Sequence, residues 1–497
     1  MSLLGVDLGS SSIKCSAYSV DGRLLAVVSH GVNPLHEQPG WWETDPQDMW
    51  QAMKNCLLDI SREPALKKDP PAALAISASG RENFPADAEG NPLGNNLMGA
   101  DLRGAEFETP PPGTSLPEAW TLSCGHPRER MDPVLRLMWW KKAHPDVMEK
   151  ARLYPDWHGF MTLRLCGRNI SERSLIGRWA IYDLNTRTWD KQRMREFDVE
   201  ERFLPEVLEG GQAIDRIKSE LARELGLPGN LLIVTGAHDL NCAGIGAGVS
   251  KPGMACLISG SYENMLIPTT VDPTYEMLAN GLSITPHPAA INRSVYAICP
   301  TGNAVLNWAR EVIRLPIEES AKELDRCEPS PVIALPYLSG MMLYGKEARK
   351  LRGTLLGMTL ATTRLDILQA FMEGIAYDNA NTLQLLAKEG IPVNQIRATG
   401  GGTRSEWWTQ LKADVMNLPI EVSSEPEPGT LGAAILAGMG AGIYASVEEA
   451  SRQLCGTVRT YTPNPERAAL HIEKMKFIQS ILPGMLDGVY QKWPETF

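Results

Sequence analysis

Closely spaced cysteines are missing from this chain. Its nine cysteines stand singly, among them Cys15, Cys56, Cys124, Cys242 and Cys455, and no C-x-x-C occurs. That excludes a thioredoxin-like redox motif and the common zinc frameworks. An odd set with no framework fits a reduced, cytoplasmic setting. Long apolar runs are missing too, since none reaches the roughly 20 residues of a bilayer crossing. The chain enters a strand pattern at once, without the regions of a secretory leader. Positive charge is in deficit: 48 Lys and Arg face 59 Asp and Glu, a net charge of -11. This excludes broad nucleic-acid binding, which needs a basic surface. It leaves nucleotide binding open, because phosphate sites are local and often made of backbone donors.

What is present begins at residue 3. Leu3 to Leu8 is an apolar run carrying Asp7, followed by Gly9-Ser10-Ser11-Ser12 and a second run from Ile13. Two strands joined across such a turn expose N–H groups and hydroxyls that suit phosphate oxygens, and Gly9 lets the backbone come close. Asp-x-Gly between apolar runs is also an ordinary hairpin turn. The turn has neither Walker spacing nor the dinucleotide fingerprint G-x-G-x-x-G before a helix. Asp7 could hold a divalent cation directly or through water.

At 497 residues the chain exceeds one core, and about 150 residues per domain suggests two or three. Lys251-Pro252-Gly253 is a natural boundary, giving domains 1–250 and 251–497. Asp45 and Pro46 open an amphipathic helix to about Ile60. Ala72 to Ala78 reads as a strand ending at Ser79-Gly80-Arg81-Glu82-Asn83, where sites tend to lie in α/β sheets. Thr109 to Gly113 is a proline-rich loop. Ser171 to Trp189 reads as loop and short hairpin. A buried strand over Leu231 to Thr235 runs into Gly236-Ala237-His238-Asp239, and a small-residue helix follows over Ala243 to Gly248. Beyond the boundary, Met254 to Ile258, Ser259-Gly260-Ser261 and Tyr262 to Ile267 echo the first hairpin, which suggests an internal duplication. Thr301-Gly302-Asn303 precedes a helix. Gly400-Gly401-Gly402-Thr403 follows a strand and precedes a helix with Trp407 and Leu411. Pro428-Gly429-Thr430 opens a second small-residue helix.

In order and spacing these pieces resemble the FGGY family of carbohydrate kinases over almost the whole chain. Gly5 to Lys14 resembles the family's first phosphate motif. Gly236 to Asp239, with Gly244, Gly246 and Gly248, resembles the segment carrying its catalytic aspartate. Gly260-Ser261 resembles the second phosphate turn, and Gly400 to Thr403 the adenosine motif. Arg81-Glu82 resembles the pair of glycerol and autoinducer-2 kinases. Met131-Asp132-Pro133 is similar to the N-terminal signature, with Arg136 where Lys is usual.

The resemblance implies an α/β fold of two RNase H-like, actin-type ATPase domains with the active site in the cleft between them. It implies an N-terminal domain with the sugar site, first phosphate turn and catalytic Asp, and a C-terminal, ATP-binding domain with a helical tail. The implied reaction is ATP-dependent phosphorylation of a small sugar, with a ketopentose such as xylulose first and a polyol or autoinducer-2-like substrate as the alternative. Asp239 would be the general base, although Asp is also favoured as a helix N-cap. Arg81, Glu82, Asp101 and Asp239 would bind the acceptor. Gly9, Ser10, Ser11, Ser12, Lys14, Gly260, Ser261, Gly302, Gly400, Gly401, Gly402 and Thr403 would bind ATP, with Lys14 alternatively a surface strand charge. Asp7 would meet Mg²⁺, directly or by water. The reading places the protein in the cytoplasm, with no nucleic-acid or membrane partner, and allows a homodimer. A rival of another class is an actin-like ATPase or scaffold without a sugar acceptor, which would not need Asp239.

Overall fold

The computed structural model describes residues 1–99, 101–108, 118–126, 131–289, 291, 293–316, 324, 328–341, 343 and 346–493. The expected loop at 109–113 lies outside them. The strands used below are β1 (Ser2–Leu8), β2 (Ser12–Ser19), β3 (Leu24–Gly31), β4 (Pro71–Ala78), β5 (Ala213–Arg216), β6 (Leu232–His238), β7 (Met254–Ser259), β8 (Glu263–Thr269), β9 (Ser283–Pro286), β10 (Arg293–Cys299), β11 (Gln395–Thr399), β12 (Ile420–Ser423) and β13 (Thr457–Tyr461). The helices are α1 (Pro46–Arg62), α2 (Pro133–Ala143), α3 (Trp157–Cys166), α4 (Asp239–Gly246), α5 (Asn303–Ile313), α6 (Arg364–Lys388), α7 (Glu406–Met416) and α8 (Pro428–Gly440).

The chain forms two units. The first holds Met1–Ser250, Ile284–Ser294 and Glu427–Cys455; the second holds Lys251–Ser283, Val295–Pro426 and Gly456–Phe497. Unit 1 is built on a six-stranded sheet in the order β5-β6-β4-β1-β2-β3. β1 and β2 pair antiparallel across the Gly9–Ser11 turn, as the apolar runs predict, and β1 pairs parallel with β4. The sheet of the second unit runs β10-β8-β7-β11-β12-β13, with β10 belonging to this unit from Val295 on. There β7 pairs antiparallel with β8 and parallel with β11. Each sheet therefore repeats one pattern: a hairpin whose first strand takes a parallel neighbour on its other side. This is the duplication the sequence echo suggests.

Local signals account for many helix ends. The Asp45 carboxylate accepts the Gln47 N–H at 2.8 Å, and Pro46 begins α1, as the N-cap rule requires. Met49, Met53, Cys56, Leu57 and Ile60 line its buried face. α4 begins four residues earlier than its small-residue stretch suggests: His238 is the N-cap and Asp239 the first helical residue.

The two small-residue helices of unit 1 owe their composition to packing. A methyl group at Gly432 of α8 would collide with the Cys242 carbonyl oxygen of α4, and one at Gly246 of α4 with that of Pro428. One at Gly5 of β1 would strike the Thr430 carbonyl oxygen. Backbone meets backbone at all three places, so a side chain there has no room to turn aside. Gly432→Ala is expected to destabilise the protein by about 1–3 kcal/mol, the usual cost of overpacking. Urea unfolding measures it, and an unchanged midpoint would contradict the tight packing.

Candidate functional site

In unit 1 the candidate groups gather where strands β1, β4 and β6 end. β4 pairs parallel with both neighbours, and Asp7 and Ala237 both lie in register with Ser77. Asp239 follows two residues after Ala237. The topology thus brings Asp7 and Asp239 to the carboxyl ends of parallel strands, the usual place for ligands in α/β sheets.

The two carboxylates differ in environment. Asp7 accepts a hydrogen bond from Ser77 Oγ at 2.5 Å. Burial pushes its carboxyl up to about 6 against that bond, and the negative charge of Asp239 adds to the rise. Gly429, in the first turn of α8, has room for a Cβ only 3.3 Å from the Asp7 carboxyl, so the positive end of that helix dipole lies beside it. For Asp239, burial works upward but is outweighed by the charge and hydrogen bond of His238, the Leu240 N–H and the Arg178 charge, and its carboxyl sits below the ordinary value. Its Oδ1 accepts the Leu240 N–H at 2.6 Å and lies 2.9 Å from His238 Nδ1. The Asp239 side chain is nevertheless 43% exposed. It is an ionised, oriented and accessible carboxylate, which is what a proton acceptor requires.

Around this pair, Ser10 and Ser11 are exposed and Gly9 and Ser12 half-buried. The Gly9 N–H donates to the Ser12 carbonyl at 3.1 Å, which closes the turn. Lys14, opposite Asp7 on β2, is paired with Glu427 at 2.7 Å.

Arg81 and Glu82 follow β4. Arg81 is buried with φ +70°, a left-handed conformation uncommon for a side-chain-bearing residue. Glu82 Oε2 accepts from Trp157 Nε1 at 2.6 Å and Ser79 Oγ at 2.9 Å. Burial raises the Glu82 carboxyl overall, against those two bonds and the Arg136 charge. Arg136 of α2 is itself fully buried and donates to the carbonyls of Arg81 and Met98 at 2.9 and 2.5 Å. An arginine serves here because its fork reaches several carbonyls at once. Asp101 is fully buried, with Oδ1 accepting from Arg103 Nε at 2.9 Å and Oδ2 from the Trp42 N–H at 2.7 Å. Arg103 also pairs with Glu43 at 2.6 Å and lies over the Trp41 ring, 3.9 Å from its centroid. Asp101 and Arg103 therefore form the structural ion pair that short spacing favours.

In unit 2 the expected nucleotide residues also gather. Gly260-Ser261 forms the β7–β8 turn, and a Cβ on Gly302 would come 2.7 Å from the Ser261 carbonyl oxygen. The Asn303 N–H at the start of α5 donates to Gly260 O at 3.1 Å. Gly400 has φ +92°, and a Cβ there would lie 2.6 Å from Ser259 O. A Cβ on Gly402 would collide with Ser259 Oγ, Gly401 is exposed, and the Thr403 hydroxyl donates to Gly400 O at 2.8 Å. Glycine is needed at 400 for both reasons, backbone conformation and close approach.

Two groups escape sequence reasoning. Lys412 of α7, 2% exposed, donates from Nζ to Ser259 Oγ and Glu263 Oε1, both at 2.7 Å, and lies over the Trp408 ring. It ties the helix after the triple glycine to the β7–β8 turn. Its one signal was a lysine four residues after Trp408, on the apolar face. The second is Glu172, inside the stretch read as loop and hairpin. It caps a short helix, Arg173–Ile176, accepting from the Ser174 N–H at 2.8 Å. Ser174 Oγ in turn accepts the His238 N–H at 3.0 Å. Burial pushes the Glu172 carboxyl up to about 8, against its bonds to Ser174.

For a metal, the described residues contain no cluster of three or more His, Cys, Asp or Glu that could hold one. Asp7 alone fits an ion of the Mg²⁺ kind, which takes one or two carboxylates and completes its shell with phosphate oxygens and water. Its carboxyl is raised first by desolvation and further by the Asp239 charge, which a cation there would offset.

The model of the FGGY family of carbohydrate kinases, N-terminal domain, matches residues 2–246, and that of the C-terminal domain matches residues 295–441. The chain is 26% identical to the L-xylulose/3-keto-L-gulonate kinase of Escherichia coli (strain K12), over 99% of this chain and 98% of that protein. It is also 26% identical to the glycerol kinase of Acidovorax ebreus (strain TPSY), over 98% and 99%. The fold matches a ligand-bound xylulose kinase from Lactobacillus acidophilus with TM-score 0.90, 23% identity and coverage of 99% and 100%. It matches Plasmodium falciparum glycerol kinase with ADP with TM-score 0.86, 21% identity and coverage of 97% and 98%. No helix among the described residues is long and apolar enough to cross a membrane.

The Glu172 network predicts a pH effect on stability. Its carboxyl stays protonated in the fold up to about 8, whereas the unfolded chain loses that proton from about 4.5. Between those values the folded state binds more protons, so stability falls as pH rises, by up to about 1.4 kcal/mol per pH unit. Glu172→Gln, fixed neutral, is expected to flatten that slope between pH 5 and 8. Chemical denaturation across this range reads it, and parallel curves for the two proteins would contradict a protonated Glu172.

Proposed function

The chain belongs to the FGGY family of carbohydrate kinases, phosphotransferases that act on an alcohol group, and is a kinase of a sugar or polyol; from that premise we propose that it transfers the γ-phosphoryl group of ATP to a hydroxyl of a ketopentose such as xylulose, with Asp239 as general base. The observation that carries this reading is the pair of unlike carboxylates at neighbouring strand ends, one with its carboxyl raised by desolvation and one held below the ordinary value by His238, the Leu240 N–H and Arg178. Phosphoryl transfer needs positioning and charge neutralisation more than covalent chemistry.

In this reading the acceptor hydroxyl attacks the γ-phosphorus, its proton passes to the Asp239 carboxylate, and ADP leaves. The base needs no raised carboxyl, because the proton departs as the O–P bond forms. His238 holds Oδ1, which leaves Oδ2 for the substrate. Asp7 would hold Mg²⁺, which neutralises charge on the phosphates when bound. Gly9 to Ser12 and Gly260-Ser261 supply N–H and hydroxyl donors to phosphate oxygens, and Gly400 to Gly402 let the nucleotide lie against bare backbone. Arg81 and Glu82 bind acceptor hydroxyls as donor and acceptor. Lys14 serves by holding Glu427 at the start of α8.

The ketose reading draws on the E. coli relative, whose name includes L-xylulose. A polyol acceptor of the glycerol kind is the second reading, and the Arg81-Glu82 pair favours it. A coupled ADP-release screen across ketopentoses, sugar acids and polyols decides between them. The ketose reading predicts the highest kcat/KM for a ketopentose, and highest turnover of glycerol would replace it with the second.

Asp239→Asn keeps the shape of the side chain and removes the proton acceptor. It is expected to lower kcat by roughly 10²–10⁴, the usual worth of a general base, with ATP affinity nearly unchanged. Steady-state kinetics and nucleotide titration read the two effects. Near-normal turnover would remove Asp239 from the role of base.

A further inference from the structure

The strand that leads into Asp239 is irregular. β6 pairs with β4 so that Val234 stands opposite Ala75 and Ala237 opposite Ser77. Thr235 and Gly236 therefore face Ile76 together, a bulge of one extra residue. A Cβ at Gly236 would collide with the Ile76 carbonyl oxygen, so the bulge needs glycine there. A bulge disrupts the ladder locally, and buried N–H groups near it must find acceptors.

Two side chains supply them. The Gly236 N–H donates to His158 Nε2 at 3.1 Å, and the His238 N–H donates to Ser174 Oγ at 3.0 Å. His158 and Ser174 are both fully buried. His158, on α3, has its Nδ1 2.8 Å from the Ile170 carbonyl oxygen. Burial favours the neutral ring, and a neutral imidazole that donates at Nδ1 accepts at Nε2. That is the tautomer the Gly236 N–H requires. Ser174 is prepared in a like manner. Glu172 Oε2 accepts both the Ser174 N–H, at 2.8 Å, and the Ser174 hydroxyl, at 2.5 Å. The one hydroxyl hydrogen is used there, which leaves the oxygen to accept from His238.

Both bonds converge on Asp239. His238 precedes it and caps α4, and the His238 Nδ1 lies 2.9 Å from Asp239 Oδ1. Holding the main chain of His238 therefore fixes two things: where Asp239 begins, and the ring that orients its carboxylate. Bulges beside active sites commonly re-aim a side chain. A misplacement of about 1 Å at the reacting centre costs roughly 10²-fold in rate.

We propose that Ser174, with His158 beside it, is a positioning residue for phosphoryl transfer: the two side chains hold the bulge of β6 and so aim the Asp239 carboxylate at the acceptor hydroxyl. This rests on the reading of Asp239 as general base. Neither residue touches substrate; each acts through the backbone of the strand end.

The test is a double-mutant cycle on the full chain, with the acceptor of highest kcat/KM among the ketopentoses, sugar acids and polyols screened. Ser174→Ala is expected to lower kcat about tenfold, with the acceptor KM and the affinity for a non-hydrolysable ATP analogue within about twofold of wild type. In the Asp239→Asn background the same change should cost nothing further, because the group it aims has lost its chemistry. A second pair reads the hydroxyl without altering it. Glu172→Leu, which frees the hydroxyl, should lower kcat likewise. Glu172→Gln, whose amide oxygen accepts as the protonated acid does, should restore it. These two decide the matter if Ser174→Ala does not fold. Unchanged kcat in Ser174→Ala, or in Glu172→Leu, overturns the proposal. So does an equal loss in both backgrounds, which is what a merely structural serine would give. Near-normal turnover of Asp239→Asn alone removes the base and the proposal with it, and is told apart because it needs no change at Ser174.

Discussion

The meeting of α8 with β1 and α4, backbone against backbone, is the contact on which the candidate site of unit 1 depends. Gly5, Gly246 and Gly432 each face a carbonyl oxygen of a neighbouring element. Because none carries a side chain, the first turn of α8 can lie against the end of β1, and Gly429 reaches the carboxyl of Asp7. The same approach lets Thr430 Oγ1 donate to Ser16 Oγ at 2.8 Å inside the sheet. The closeness thus has two effects: it buries the core of the unit and brings a helix dipole to a carboxylate.

Electrostatics divides the labour within the units. In unit 1 two acids share one neighbourhood and are driven apart, Asp7 upward by burial and Asp239 downward by its hydrogen bonds and nearby charge. Groups so separated can take different roles at one pH. In unit 2 the buried pair of Lys412 and Glu263 does something else. A buried ion pair adds little net stability, since desolvation offsets much of the attraction. What it supplies is a fixed link: one ammonium joins α7, Ser259 beneath the triple-glycine turn, and the strand after Gly260-Ser261.

Much of the fold was legible because its signals are local. The Asp45–Pro46 start of α1, the hairpins on either side of Gly9-Ser10-Ser11 and Gly260-Ser261, and the glycines at 400–402 follow from turn, cap and periodicity rules that involve neighbouring residues only. The repeated hairpin could be seen for the same reason. The helix Arg173–Ile176 was not legible, because its cap is a glutamate protonated only through tertiary burial. The early start of α4 escaped too, since His238 is a poor cap by propensity and is held from Ser174, far away in sequence.

Sequence alone therefore determined the order of strands and turns, the family, and the residues with the right chemistry. Each of these is written in short-range pattern or in the succession of motifs. Only the tertiary structure decided how those residues are used: that Asp101 also accepts the Trp42 N–H, that Lys14 meets Glu427, and that Arg136 supports the backbone of Arg81. It also decided that Ile284–Ser294 and Glu427–Cys455 return to the first unit. Partners 55 to 413 residues apart, and the burial that sets their protonation, depend on packing, and packing leaves no periodic trace in the chain.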